Sequence, residues 1–284
     1  MDMKDTILFG DCRKTIPTIT EPVKMCVTSP PYYGLRNYGD EENQIGMEES
    51  PEKYIEQLVE VFRSVRDVLT DDGILWVNIG DTYYNYRSDG NYPKQTVSKT
   101  NQDLPSFSPV RGNKLEGYKS KDLIGIPWML AFALRKDGWY LRQDIIWSKP
   151  NPMPESVRDR CTKSHEYIFL LSKSKNYYFD VDSIKESTID GKGLKRKKSV
   201  WNIKTKPYKD AHFAVYPPEL IEPCIMSGSQ KGDIILDPFM GSGTTGMVAK
   251  SLGRHYIGCE LHESYGKLIQ NRVSEYTINL ENFV

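Results

Sequence analysis

A proline-rich turn follows a short apolar run near the start of the chain, in the stretch VTSPPYY at residues 27–33. Because proline cannot donate to a sheet ladder, a strand that reaches Ser29 should end at Pro30 and Pro31. The main-chain carbonyls and the Ser29 hydroxyl then become available as acceptors, and Tyr32 offers a flat aromatic face. Together these groups describe a pocket for the exocyclic amine of a planar base.

The exocyclic amine of such a base is a poor nucleophile, because its lone pair is delocalised into the ring. Acceptors that hold its two N–H bonds out of the ring plane would localise the lone pair and direct it at a methyl donor, so positioning would supply most of the acceleration. A base inside a duplex cannot reach this turn and must first be flipped out. The alternative is a plain proline turn with tyrosines packed beside it.

A second candidate site is the glycine-rich stretch DPFMGSGTTG at residues 237–246, between a strand-like and a helix-like run. Gly241, Gly243 and Gly246 fit the pattern G-x-G-x-x-G, which a purely structural turn would also satisfy. The next strand-like run closes with Glu260, whose carboxylate could accept hydrogen bonds from two ribose hydroxyls. The stretch therefore predicts a nucleotide-type ligand.

Three ligands compete for this glycine loop. ATP is disfavoured, since no lysine follows Gly246 as a P-loop requires. NAD stays open, but Asp237 stands at the strand tip, where a carboxylate would repel a pyrophosphate. The same charge suits a ligand that carries an ammonium and a sulfonium, which favours S-adenosylmethionine (SAM).

Alternating strand-like and helix-like segments would position both sites. Apolar runs predict strands at 6–11, 23–29 and 73–81, and a helix begins between the last two with Ser50 as N-cap and Pro51 in its first turn. Strand, helix and strand in this order indicate a parallel sheet covered by helices. Ligands bind such open sheets at the carboxyl ends of the strands, where both candidate sites fall.

The remaining segments complete this sheet and interrupt it. The runs 139–149 and 165–174 predict an antiparallel pair at one sheet edge, and residues 217–262 return to helix and strand. Two polar stretches, 85–120 and 181–210, show no periodicity and are predicted to be irregular.

The pairing of TSPPY with DPFMGSGTT, in that order, resembles the β class of SAM-dependent DNA amino-methyltransferases, which modify cytosine N4 or adenine N6. The segments ILFGDC, IIWSKPNPMPESVRDRCTKSHEYIFLL and YIGCELHESY extend the resemblance over most of the chain outside 85–120 and 181–210. It implies a Rossmann-like α/β fold of mostly parallel strands with helices on both faces, an antiparallel edge hairpin and a circularly permuted motif order. Double-stranded DNA is the implied substrate and SAM the implied cofactor.

The resemblance also assigns residues to the two sites. The turn from Ser29 to Tyr32 would hold the target base, and a serine at its first position favours cytosine N4 over the alternative, adenine N6. The residues implied to line the SAM site are Asp11, Phe213, Asp237, Phe239, Gly241, Ser242, Gly243, Thr244 and Glu260. Within this set, Glu260 would bind the ribose and Asp11 would lie near the adenine amino group.

One methyltransferase domain in three parts follows from the resemblance. Residues 1–180 form the catalytic half, with the insertion 85–120 inside it, and residues 211–284 form the SAM-binding half. Residues 181–210 between them are a short basic target-recognition segment. Because this segment is short, the insertion could share its task.

The basic segment contrasts with a chain whose formal net charge is zero. Residues 191–209 contain eight Lys or Arg and no Asp or Glu. Such runs are often merely solvated, but the interleaved Trp201 and Tyr208 favour contact with DNA phosphates. The residues predicted to bind DNA are Arg36, Lys195, Arg196, Lys197 and Lys198. Arg36, just past the catalytic turn, could equally form a structural ion pair.

Other features of the sequence exclude several classes of protein. The five cysteines form no C-x-x-C pair and the histidines have no metal-ligand spacing, so neither a disulfide framework nor a metal site is predicted. Pro223 and Cys224 match the nucleophile pair of cytosine C5 methyltransferases, yet a buried core thiol is the favoured interpretation. No signal peptide or membrane span is visible, and a cytoplasmic location is expected.

Alternatives to the enzyme are an inactive DNA-binding homologue and a methyltransferase for RNA or protein. A cognate restriction endonuclease and a second copy of the chain are the protein partners that fit the main prediction.

Overall fold

The computed structural model describes residues 3–34, 44–84, 115–188, 190–205 and 216–281, with side chains to residue 274. Arg36, Tyr208 and Phe213 lie outside the described residues, as does most of the predicted insertion. What the sequence predicts for them stays a prediction.

Strands and helices alternate along most of the described chain. The strands are β1 (Thr6–Phe9), β2 (Val23–Thr28), β3 (Leu69–Ile79), β4 (Tyr140–Ser148), β5 (His165–Ser172), β6 (Glu186–Ser187), β7 (Leu194–Lys195), β8 (Val200–Asn202), β9 (Ile234–Asp237) and β10 (His255–Glu260). The helices are α1 (Cys12–Thr15), α2 (Pro51–Val68), α3 (Ile126–Lys136), α4 (Pro218–Gly228), α5 (Thr244–Ser251) and α6 (Gly266–Glu281). None of the helices within the described ranges is long and apolar enough to cross a membrane.

Eight of the strands form one sheet in the order β1-β10-β9-β2-β3-β5-β4-β8. The first five run parallel to one another, and β5 is antiparallel to both β3 and β4. Helix α2 leads from β2 to β3, whereas α5 leads from β9 to β10 in the opposite direction across the sheet. The strand order therefore reverses between β2 and β9, and in open α/β sheets this is the point where ligands bind.

Helices cover both faces of the sheet, as the sequence predicts. One core cluster includes Leu58 and Phe62 from α2, and a second includes Leu220 and Ile225 from α4. Cys224 is buried in the second cluster, which confirms its interpretation as a core thiol. Because alternate residues of a strand face opposite sides, one strand contributes to both clusters.

The start of α2 also agrees with the sequence. The Ser50 side chain accepts a hydrogen bond from the Lys53 amide at 3.3 Å, and Pro51 occupies the first turn. This cap fixes where the helix begins and hence where the chain turns back from β2 to β3.

The prediction that residues 181–210 are irregular is wrong in part. Strands β6 and β7 form a small hairpin, and β8 pairs in parallel with β4 and becomes the outer strand of the main sheet. Trp201 on β8 is 4% exposed and packs against Trp76 at 6.4 Å between ring centroids. It is a core residue, so the expectation that it joins a phosphate-binding surface is also wrong.

Candidate active site

The two predicted sites begin at the ends of neighbouring strands. Cys26 of β2 pairs with Leu236 of the parallel strand β9. The proline turn and the glycine loop therefore leave these strands at the same edge of the sheet, where the carboxyl ends of both strands lie. The Thr28 hydroxyl, one residue before Ser29, donates a hydrogen bond of 2.6 Å to the Asp237 carboxylate. The structure thus joins the turn and the loop directly.

Asp237 is the centre of this junction. It is 2% exposed and also accepts hydrogen bonds from the Phe239 amide at 3.0 Å, the Tyr216 hydroxyl at 3.1 Å and the Thr245 hydroxyl. Burial raises the pKa of Asp237, and these hydrogen bonds oppose the shift. The carboxylate fixes the loop and the first turn of α5 relative to β2.

The glycines of the loop have identifiable steric reasons. Gly243, at the N-cap of α5, has a left-handed backbone with φ of 86°, a conformation that favours glycine. A Cβ at Gly246 would lie 2.7 Å from the Met240 side chain, so α5 could not pack as closely on the loop. Backbone conformation and close packing explain why glycine occupies positions 243 and 246. A nucleotide ligand is therefore indicated by the polar groups of the loop and not by these glycines.

Glu260 ends β10 beside the loop. Its carboxylate accepts from the amides of Gly241 at 2.8 Å and His262 at 3.1 Å, and the residue is 8% exposed. Burial raises the pKa of Glu260 to about 7 despite these two hydrogen bonds. A carboxylate with such a pKa is poised to change its charge in the neutral range when a ligand donates to it.

Thr244 and Ser242 show two different environments in the same loop. The Thr244 hydroxyl is buried and finds no hydrogen-bond partner within the described part of the chain, whereas the Ser242 hydroxyl accepts from Arg272 on α6. A buried polar group without a partner is costly unless a ligand satisfies it. The loop therefore fits a polar cofactor such as SAM.

Asp11 follows β1 at the same edge, and the Gly10 amide donates to the Glu260 carbonyl at 2.9 Å. The Asp11 side chain caps α1 and forms a two-point ion pair with Arg13, with a shortest distance of 2.8 Å. Asp11 therefore follows a residue that is hydrogen-bonded to Glu260, and its part in a SAM site stays a prediction. Contact with the adenine stays a prediction.

Tyr32 lies in a polar cluster on the other side of β2. Its hydroxyl donates to Glu166 Oε2 at 2.6 Å, and a Cβ on Gly80 would lie only 2.7 Å from Tyr32 Cε2. The carbonyl of Pro31 accepts from the Tyr54 hydroxyl at 2.7 Å. The turn is thus held by side chains from α2 and β5 and by the close approach of the backbone after β3.

Sequence reasoning did not assign Gly80, Glu166, Tyr54 or Tyr216 to the site. In the sequence, Glu166 is a polar residue at the start of an apolar run, and its expected role is a structural hydrogen bond. The other three carried no local signal, because each contacts a residue that is distant in the chain.

The predicted DNA-binding residues do not all share one environment. Lys197 donates to Glu186 at 2.8 Å and its ammonium lies 5.1 Å from the centroid of the Trp201 ring, so it is engaged by the protein. Arg196 and Lys198 are exposed, and Lys195 is half-buried. These residues precede β8, which lies four strands from β2 and two strands from β5, or about 10 Å from the strand that carries Glu166 at usual strand spacing, and no hydrogen bond described for them reaches Tyr32 or Glu166. The structure does not bring them into the cluster around Tyr32.

Within the described ranges, no group of three or more His, Cys, Asp and Glu side chains is arranged to hold a metal ion. The polar groups at the strand ends are hydroxyls, carboxylates and backbone amides that suit an organic cofactor.

Comparison with known proteins shows which family this sequence matches. The family model N6_N4_Mtase, described as DNA methylase, matches residues 23–271. The type II methyltransferase M.SmaI of Serratia marcescens is 51% identical over 269 residues, which cover 94% of this chain and 90% of that protein. The type II methyltransferase M.Cfr9I of Citrobacter freundii is 48% identical over 276 residues, which cover 97% and 89% of the two chains.

Solved structures share the fold at low sequence identity. The PvuII DNA methyltransferase, described as cytosine-N4-specific, aligns with a TM-score of 0.68 at 18% identity and covers 94% of this chain and 85% of its own. The complex of M1.HpyAVI with SAM aligns with a TM-score of 0.60 at 19% identity and covers 94% and 98%.

Proposed function

The chain belongs to the N6 and N4 family of DNA methylases, which are SAM-dependent enzymes, and we propose that it methylates N4 of a cytosine flipped out of duplex DNA. The Thr28–Asp237 hydrogen bond of 2.6 Å carries the proposal, because it joins the base-binding turn to the cofactor loop. The serine at position 29 is the reason for preferring cytosine over adenine. The similarity to type II methyltransferases supports a cognate endonuclease that cleaves the same DNA sequence.

The roles of the chain's own residues follow from this arrangement. Ser29 and a carbonyl of the turn accept the amine N–H bonds, and the Tyr32 ring stacks on the base. Thr244 and Glu260 would hold the cofactor. SAM would supply a sulfonium methyl group: the N–C bond would form as the S–C bond breaks, the neutral thioether would leave, and the amine would lose one proton to solvent. Positioning the two reactants in this way supplies roughly 7 to 11 kcal/mol of the barrier reduction in favourable cases.

The product identifies the reaction. Duplex DNA incubated with the protein and SAM and then digested to nucleosides should yield N4-methylcytosine by mass spectrometry, and the Ser29→Ala variant should yield far less. N6-methyladenine would move the proposal to the adenine alternative, and 5-methylcytosine alone would contradict it. RNA in place of DNA tests the substrate class. SAM binding by calorimetry without any methyl transfer would indicate an inactive homologue.

Gly80 offers a second test, which acts through shape alone. Gly80→Ala places a methyl group 2.7 Å from Tyr32 Cε2, so the ring must move. A displacement of this kind is expected to slow methyl transfer about tenfold or more, since a 1 Å misplacement can cost about a hundredfold. Single-turnover rates at saturating SAM and DNA measure the effect.

The matched control for this variant is Gly193→Ala. A Cβ at Gly193 would meet its nearest neighbour, Thr188, at 3.9 Å, which is an ordinary contact. Because residue 193 lies in the predicted target-recognition segment, the comparison is made at saturating DNA, where this variant should keep the wild-type rate. Equal rates for wild type and Gly80→Ala would show that the Tyr32 ring position does not matter.

A further inference from the structure

The Glu166 carboxylate accepts hydrogen bonds from side chains in three separate segments of the catalytic half. Its Oε2 accepts from the Tyr32 hydroxyl at 2.6 Å and from Asn78 Nδ2 at 3.1 Å, and its Oε1 is paired with the Lys149 ammonium. The Glu166 side chain is 13% exposed. Hydrogen bonds to charged groups are stronger than those between neutral groups, so this carboxylate holds its three donors firmly.

The Tyr32 ring is fixed at two points as a result. Gly80 allows the ring edge to lie against the backbone, and Glu166 holds the hydroxyl end. Burial and then the negative charge of Glu166 raise the pKa of Tyr32 well above its usual value, so the hydroxyl keeps its proton and stays the donor. With the edge and the tip fixed, the plane of the ring is set before any base arrives.

We propose that Glu166 is a positioning residue for methyl transfer, which holds the Tyr32 ring in the plane required to stack on the flipped base. This inference rests on the proposed function. Lys149 compensates the charge of Glu166, and its ammonium lies 4.4 Å from the centroid of the Trp147 ring, which limits its movement. Asn78, which also donates to the Tyr167 carbonyl at 3.2 Å, ties the carboxylate to β3 and β5.

The competing explanation is that Glu166 only stabilises the sheet through its pair with Lys149. The two explanations differ in one respect. A positioning role acts through the Tyr32 hydroxyl and must vanish when that hydroxyl is absent, whereas a stabilising role does not depend on it. A double-mutant cycle separates such cases.

The experiment measures single-turnover methyl transfer from labelled SAM to duplex DNA, together with SAM affinity by calorimetry. Glu166→Ala should slow transfer about a hundredfold, the value expected for a lost charge-assisted hydrogen bond of about 3 kcal/mol, and SAM affinity should not change. Glu166→Gln keeps an acceptor for Tyr32 and should recover about tenfold of this loss. In a Tyr32→Phe background neither change should slow transfer further.

Asp72→Asn is the control, because Asp72 on β3 accepts from Lys24 on β2 near the ends of these strands opposite to Asn78 and the Tyr32 turn. It should leave the transfer rate unchanged. Additive effects of Glu166→Gln and Tyr32→Phe would overturn the positioning role, even if Glu166→Ala failed to fold. Failure of the wild-type protein to methylate DNA would instead overturn the proposed function, and the inference with it.

Discussion

Tyr32→Ala is expected to slow methyl transfer about a thousandfold and to leave SAM affinity within about twofold of wild type. The variant loses base stacking, worth about 1–3 kcal/mol, and the hydroxyl contact to Glu166, worth about 1.5–3 kcal/mol. Since about 1.4 kcal/mol corresponds to a factor of ten, the two losses together approach three powers of ten. The contacts of Tyr32 lie toward β3 and β5, away from the cofactor loop that follows β9.

The neighbouring tyrosine provides the control. Tyr33 is 2% exposed, and its hydroxyl has no hydrogen-bond partner among the residues that the structure describes. Because the Tyr33 ring packs in the core against Tyr54, at 5.4 Å between centroids, Tyr33→Phe should keep the wild-type transfer rate, whereas Tyr32→Phe, which deletes the hydroxyl that meets Glu166, should not. Full activity in Tyr32→Ala would remove the base-stacking role. Loss of SAM binding in that variant would show that the turn belongs to the cofactor site.

The sequence was sufficient to predict which strand ends carry the proline turn and the glycine loop. Prolines after β2 and glycines after β9 are local signals, and parallel strands place their carboxyl ends at one edge of a sheet. The reversal of strand order between β2 and β9 then brings the turn and the loop together. These features survive in the sequence because each depends on residues within a few positions of one another.

Contacts between distant segments could not be predicted in the same way. Glu166 meets Tyr32 across 134 positions, and Tyr216 meets Asp237 only after a helix and a strand have folded between them. Trp201 misled the interpretation because lysines surround it, although its neighbours Val200 and Asn202 are exposed in the alternation of a strand. The lysines around Trp201 suggested an exposed segment, whereas tertiary packing buries the Trp201 side chain.

SAM affinity is expected to fall about tenfold between pH 8 and pH 6, because only the charged Glu260 carboxylate offers both oxygens as strong acceptors for the ribose hydroxyls, and about a tenth of it is charged one unit below its pKa. The pKa of Glu260 in the free protein is about 7, raised by burial from the usual 4.5. Glu260→Gln should bind SAM about a hundredfold more weakly at pH 8. Its affinity should no longer vary over this range. A slope that persists in the variant would assign the titration to another group.

The titration of Glu260 should affect the stability of the free protein in the opposite direction: as pH rises, SAM affinity increases and the free energy of unfolding decreases. Between pH 4.5 and about 7 the folded protein holds a proton on Glu260 that the unfolded chain has released. Its contribution to the free energy of unfolding therefore falls as pH rises through this window, by up to about 3 kcal/mol. The comparison of wild type with Glu260→Gln in urea, without SAM, isolates this term. If the free energy of unfolding of wild type increased relative to that of Glu260→Gln toward pH 7, a pKa of Glu260 raised by burial would be contradicted. A carboxylate that weakens the free protein at neutral pH and strengthens its complex with SAM belongs to a binding site.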